Sequence, residues 1–162
     1  HSGREARYFM TLAFEINDPV GAGDLFVFYG LLKQGAAGMP DHIDLDAGGE
    51  FLRDVSLRGD LYDLGGYPGI IDGDGLVKGI LYRLDNAALA VPLDEFEDVV
   101  PGENDASLYL RVKREVCDHN GQPTGETAWV YWYNQPIDGH QKIANGNWPL
   151  DAGNRQKERR HP

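Results

Sequence analysis

Cysteine occurs once in the 162 residues, at Cys117, so no internal disulfide can form and no multi-cysteine metal framework can be built. No apolar run approaches the roughly 20 residues needed to cross a bilayer, and no short apolar core follows a basic N-terminus as in a secretory signal. The reading is a soluble protein of a reducing, cytoplasmic compartment with no membrane partner. Basic residues are outnumbered, 15 Lys and Arg against 26 Asp and Glu, for a net charge of -11. That field repels phosphate backbones, and the one basic cluster, Arg155 to Arg160, reads as part of a solvated polar tail over 151–162. Nucleic acid is not expected as a partner. Serine is scarce, and neither Ser56 nor Ser107 sits in a glycine-flanked nucleophile elbow, which disfavours serine hydrolysis. His42, His119 and His140 show no i, i+4 pairing and no neighbouring ligand set, so no metal site is expected.

What is present suffices for one core: 41% of the residues are hydrophobic, in a chain of ordinary single-domain size. Residues 1–9 read as the remnant of a purification tag and linker, with Met10 as the start and a single domain over 10–150. Leu25-Phe26-Val27-Phe28-Tyr29, closed by Gly30, predicts a buried strand that turns a corner at 29–32. Residues 33–50, rich in Gly, Asp and Ala, allow a short helix before a second strand around Val55 to Leu64, which Gly65 to Gly69 then breaks. Asp72-Gly73-Asp74-Gly75 carries a tight-turn signal and predicts a hairpin, with Leu76 to Leu84 as the returning strand. Its acidic pair lacks the remaining positions of a calcium loop.

Asp85 or Asn86 can cap a helix through Ala90, and Pro92 predicts a restarted helical piece reaching about Val99. Tyr109 to Cys117 and Ala128 to Tyr133, separated by turn residues, predict a further hairpin, and one helical turn is allowed near Gly139 to Ala144. The fold class that follows is α+β: a mostly antiparallel sheet, able to curl into a small barrel, with a few short helices.

Two places carry chemistry. In Tyr29-Gly30-Leu31-Leu32 a glycine ends a strand, and consecutive backbone N–H groups there can hold a carboxylate; an ordinary turn fits the same residues. Leu89, Leu93, Phe96 and Val100 recur at helical spacing, and Glu97, four after Leu93, borders that apolar stripe. Partial burial and the negative end of the helix dipole both favour the protonated form of such a carboxylate, which suits proton transfer. A solvated glutamate within the acidic run Asp94 to Asp98 is the bland alternative. Cys117 and His119 could share a strand face, but no orienting group for a thiol dyad is visible.

Taken in order, Phe28-Tyr29-Gly30-Leu31-Leu32-Lys33-Gln34-Gly35, Arg58-Gly59-Asp60-Leu61-Tyr62-Asp63-Leu64, Tyr67-Pro68, Val77-Lys78-Gly79-Ile80-Leu81-Tyr82, Leu93-Asp94-Glu95-Phe96-Glu97 and Tyr109-Leu110-Arg111 resemble the γ-glutamylcyclotransferase, or AIG2-like, family over roughly residues 25–133. The resemblance implies an α+β fold on a small mixed β-barrel with a cavity at one end. It implies that the loop Tyr29, Gly30, Leu31 and Leu32 binds the α-carboxylate of a γ-glutamyl group. It also implies that Glu97 is the catalytic acid/base and that Tyr67, Tyr109 and Arg111 belong to the substrate site. The implied reaction closes the γ-glutamyl group to 5-oxoproline and expels an amine, with no cofactor and a small γ-glutamyl molecule as the only partner. Two departures from the family pattern stand out: Asp98 where many members carry glycine, and an acidic insertion at 101–106, expected to border the pocket entrance. A non-catalytic module binding an amino-acid-like molecule on the same fold is the rival, since fold alone does not fix function.

Overall fold

The computed structural model describes residues 16–30, 32–33 and 43–148. Six strands form one mixed sheet: β1 (Leu25–Phe28), β2 (Gly49–Asp63), β3 (Pro68–Leu84), β4 (Tyr109–Cys117), β5 (Pro123–Tyr133) and the two-residue β6 (Gln141–Lys142). Their order is β3-β1-β5-β4-β2-β6, and β3 also pairs with β2, so five strands close into a ring of hydrogen-bonded neighbours. The sheet is mixed because β1 runs parallel to β5, with Phe26 opposite Trp129, whereas its pairing with β3 is antiparallel. Among the described residues two helices accompany the sheet, α1 (Leu45–Gly48) and α2 (Ala90–Phe96), the second preceded by a 3-10 turn over Ala87–Leu89. No helix among the described residues is long and apolar enough to cross a membrane.

Period-two alternation divides the core. Along β1, Val27 and Tyr29 join a cluster with Leu57, Ile70, Val116 and Val130, drawn from all five ring strands. Phe26 and Phe28 point the other way and pack with Tyr82, Leu93 and Trp129 beneath α2. Each such large side chain stabilises the fold by about 1.5–3 kcal/mol when fully buried.

Several expectations are corrected. The hairpin between β2 and β3 turns at Leu64–Tyr67, where the Asp63 carboxylate accepts from the Gly65 and Gly66 amides at 2.9 and 3.0 Å and both glycines have positive φ. Asp72 to Gly75 is instead a bulge inside β3: Ile71 pairs with Asp60 and Leu76 with Arg58, so residues 72–75 face the single residue Gly59. The Gly75 amide donates to Asp60 at 3.2 Å, which fixes the bulge in place of a turn. β2 begins six residues earlier than Val55, at Gly49. β6 replaces the helical turn allowed near 139–144. Tag residues 1–9, Met10, the tail 151–162, Leu31 and His42 lie outside the described residues.

The kinked helical pair is observed, with shorter bounds. Asn86 accepts from the Ala88 amide at 3.2 Å, and Pro92 sits in the first turn of α2, where a missing N–H costs no helical bond. α2 stops at Phe96, and Glu97 is its C-cap, with Glu97 N donating to Leu93 O at 3.1 Å. Asp98 then takes φ 56°, the left-handed conformation that glycine adopts without steric cost. The acidic segment 101–106 is exposed and lines neither of the two cavities described below; its base is held by Ser107, whose hydroxyl accepts from Val100 N and donates to Glu103 O at 3.1 Å.

Candidate active site

One end of the ring carries a narrow cavity with about 30 Å³ of room, the space of roughly one or two water molecules. β1 and the corner after it contribute Val27, Phe28, Tyr29, Gly30 and Leu32. The β2–β3 turn brings Tyr67 and Pro68, the end of α2 brings Phe96 and Glu97, and β4 and β5 bring Tyr109 and Tyr131. Six of the eight residues singled out in the sequence thus meet here: Tyr29, Gly30, Leu32, Tyr67, Glu97 and Tyr109.

Glu97 is half-buried, whereas Glu95, two residues earlier, is exposed. The difference follows from the stripe: Leu93 is fully buried beneath α2, and Glu97 one turn later is drawn to the same side. Its charge is felt across the cavity. Burial pushes the Tyr29 phenol well above its usual range and Glu97 adds to the shift. Tyr131 is also raised well above the usual range, first by burial, then by Asp94 and, more weakly, by Glu97.

The phenols are held by long-range bonds. Tyr29 Oη donates to the Tyr131 carbonyl at 2.6 Å and accepts from the Ile70 amide at 3.3 Å. Tyr109 Oη donates to Pro68 O, which fastens the β2–β3 turn to β4, and its ring meets Tyr133 edge-on at 5.6 Å. Tyr131 Oη donates to Asp94 Oδ1 at 2.6 Å.

Gly30 has a steric reason. A Cβ at this position would lie 2.6 Å from Pro68 Cγ, so the corner passes against the proline ring with no space for a side chain. Gly30→Ala is expected to destabilise by about 1–3 kcal/mol, as overpacking does. Urea denaturation would check this, and an unchanged midpoint would remove the steric argument.

Arg111 does not line the cavity. Its guanidinium binds Asp94 through two bonds, Nε to Oδ1 at 2.9 Å and Nη2 to Oδ2 at 3.1 Å, donates to Asp18 O at 2.7 Å and lies 4.6 Å over the Trp129 ring. The expected substrate contact is therefore replaced by a structural one, made because Asp94 comes down from α2 onto β4. Lys33 is likewise turned away: its ammonium donates to Asn147 Oδ1 and Trp148 O, and burial lowers its pKa. Sequence reasoning missed Asp94, Phe96 and Tyr131 as site residues; the strand alternation that buries Tyr131 was legible, its partner on α2 was not.

A larger cleft of about 530 Å³ is lined by Lys33, Ser56, Lys78, His119, Asn147 and Trp148 among others, and it shares no lining residue with the narrow cavity. The thiol reading has no support. Cys117 is buried, and burial, aided by Glu115, raises its pKa, which disfavours the thiolate a nucleophile needs. His119 is exposed in the turn after β4.

A family model described as "Gamma-glutamyl cyclotransferase, AIG2-like" matches residues 25–150. The Escherichia coli (strain K12) "Gamma-glutamylcyclotransferase family protein YtfP" is 38% identical over 101 residues, spanning 61% of this chain and 76% of the relative. Among solved structures, the solution structure of ytfP from Escherichia coli aligns with TM-score 0.51 and 32% identity, covering 76% of this chain and 95% of that one. The crystal structure of protein PH0828 from Pyrococcus horikoshii aligns with TM-score 0.54 over 85% of this chain and 97% of that one, at 19% identity, a likeness of fold alone.

Proposed function

Since the chain belongs to the gamma-glutamyl cyclotransferase, AIG2-like family, we propose that it cyclises a γ-glutamyl amine or γ-glutamyl amino acid to 5-oxoproline with release of the amine. The observation that carries this reading is the half-buried Glu97 at the end of α2, facing the glycine corner across a tyrosine-walled cavity. The substrate's α-carboxylate lies at the backbone amides of the corner from Gly30 to Leu32. Both neighbouring cations, Lys33 and Arg111, are directed elsewhere, which leaves the main chain to hold the anion.

The reaction is intramolecular. The α-amine attacks the γ-carbonyl carbon, a C–N bond closes the five-membered lactam, and the original γ-amide C–N bond breaks. Two protons leave the α-nitrogen as the ammonium becomes the lactam N–H; Glu97 takes them in turn and passes them to the departing nitrogen, which leaves as an ammonium, so protons balance and no further reactant is required. Because nucleophile and carbonyl belong to one molecule, holding the bent conformer supplies much of the acceleration. A γ-glutamyl group exceeds the room present, so its entry parts the walls, and Tyr67 and Phe96, carried on a turn and a helix end, are among the lining residues outside the strands.

Incubation with a panel of γ-glutamyl amino acids, γ-glutamyl amines and glutathione is expected to release 5-oxoproline from at least one of them. Binding without 5-oxoproline from any member would favour the non-catalytic module.

A further inference from the structure

We propose that Tyr131, with its hydroxyl proton held by Asp94, acts with Tyr29 as a specificity-determining acceptor pair that selects molecules bearing a primary ammonium group in the Glu97 cavity. The inference rests on the reading of this cavity as the ligand site. It begins from an inventory of protons. A phenol carries one hydrogen to donate, and beyond that it offers only oxygen lone pairs.

Tyr131 donates its proton to Asp94 Oδ1 at 2.6 Å. Asp94 cannot turn aside, because Arg111 grips both of its oxygens and is itself fixed by Asp18 O and the Trp129 ring. Tyr29 donates its proton to the Tyr131 carbonyl at 2.6 Å, in a buried bond. With both hydrogens directed to protein acceptors, neither tyrosine has a donor to turn toward a bound molecule.

Both tyrosines and the third acceptor, Glu97, line the same narrow cavity, and the charge on Glu97 adds to the upward shift that burial gives both phenols. Two phenol oxygens and a carboxylate make a wall that welcomes several N–H donors carrying positive charge and disfavours another acceptor. In the proposed reaction that group is the α-ammonium. The same wiring bears on release: lactam closure leaves a single neutral N–H where an ammonium entered, so the product keeps fewer donors for this wall than the substrate had.

Calorimetric titration with L-glutamate and with glutarate isolates the claim, because the two share carbon chain and carboxylates and differ in the amino group. The wild-type protein is expected to bind L-glutamate at least about tenfold more tightly. Tyr131→Phe deletes one acceptor oxygen while leaving the Asp94–Arg111 pair, and is expected to cut the preference to about threefold or less by weakening L-glutamate alone. Tyr29→Phe is the second variant, expected to act in the same direction should Tyr131→Phe not fold. Equal binding of the two probes, tighter binding of glutarate, no measurable binding of either, or an unchanged preference in a folded phenylalanine variant overturns the inference. The proposed reaction is judged separately by 5-oxoproline release: a cavity that prefers the ammonium yet turns over no γ-glutamyl compound keeps this inference and sinks that one.

Discussion

Glu97→Gln is expected to abolish cyclisation while ligand still binds. The amide preserves the size of the side chain and its place at the cap of α2, but it can neither take the proton from the α-ammonium nor return one to the leaving amine. Loss of one acid/base group typically lowers rate by about 10²- to 10⁴-fold, far beyond what a solvated glutamate contributes. Glu95→Gln is the matched control: it lies on the same helix, is exposed, and should turn over the substrate normally. Stability should change little, because a carboxylate at a helix C-terminus faces the unfavourable end of the dipole. Turnover by Glu97→Gln within a few-fold of wild type would remove Glu97 from the mechanism.

Asp94→Ala should produce the largest loss of stability among the substitutions considered. The Arg111 side chain is only 5% exposed, and Asp94 supplies its sole ion pair among the described residues. Removing one partner of a buried pair leaves an uncompensated charge and costs about 3–5 kcal/mol. For a domain of this size, that corresponds to a fall in Tm of roughly 6–20 °C. The Asp18 carbonyl and the Trp129 ring soften the loss, which argues for the lower half of the range. The paired change Asp94→Leu with Arg111→Met should recover most of it, since an apolar pair of similar volume replaces buried charges at little net cost. A single-variant loss below about 1 kcal/mol would mean that the pair behaves as a surface bridge.

The sequence made the strands legible wherever one short-range signal acted alone. β1 is a continuous β-favouring run ended by a glycine, and β4 and β5 flank an unbroken set of turn residues. It misled where two turn signals competed. Gly65–Gly66 and Asp72–Gly75 both permit a reversal, and the choice is made by Asp63 capping one loop and Asp60 filling the other. Both contacts depend on the finished pairing of β2 with β3.

The candidate site shows the same division. Tyr29, Gly30 and Glu97 stood out because corner and stripe are local patterns, whereas Tyr67 and Tyr109 entered through the family resemblance. Arg111 looked equally eligible, but its destination depends on Asp94, 17 residues away and on another element. Tyr131 passed as an ordinary strand aromatic for the same reason: alternation says which way it faces, not what it touches.

The Tyr29–Tyr131 bond joins residues 102 positions apart, across the one parallel seam of the ring. Loop-closure entropy makes such a contact slow to form relative to the β2–β3 and β4–β5 hairpins. A chain still emerging from the ribosome possesses the glycine corner and Glu97 long before β5 exists to stand beside them. A partly folded or truncated chain that lacks β5 therefore holds chemical groups of the site without their arrangement. Placing that long-range seam in the wall of the cavity ties the assembly of the site to the completion of the fold.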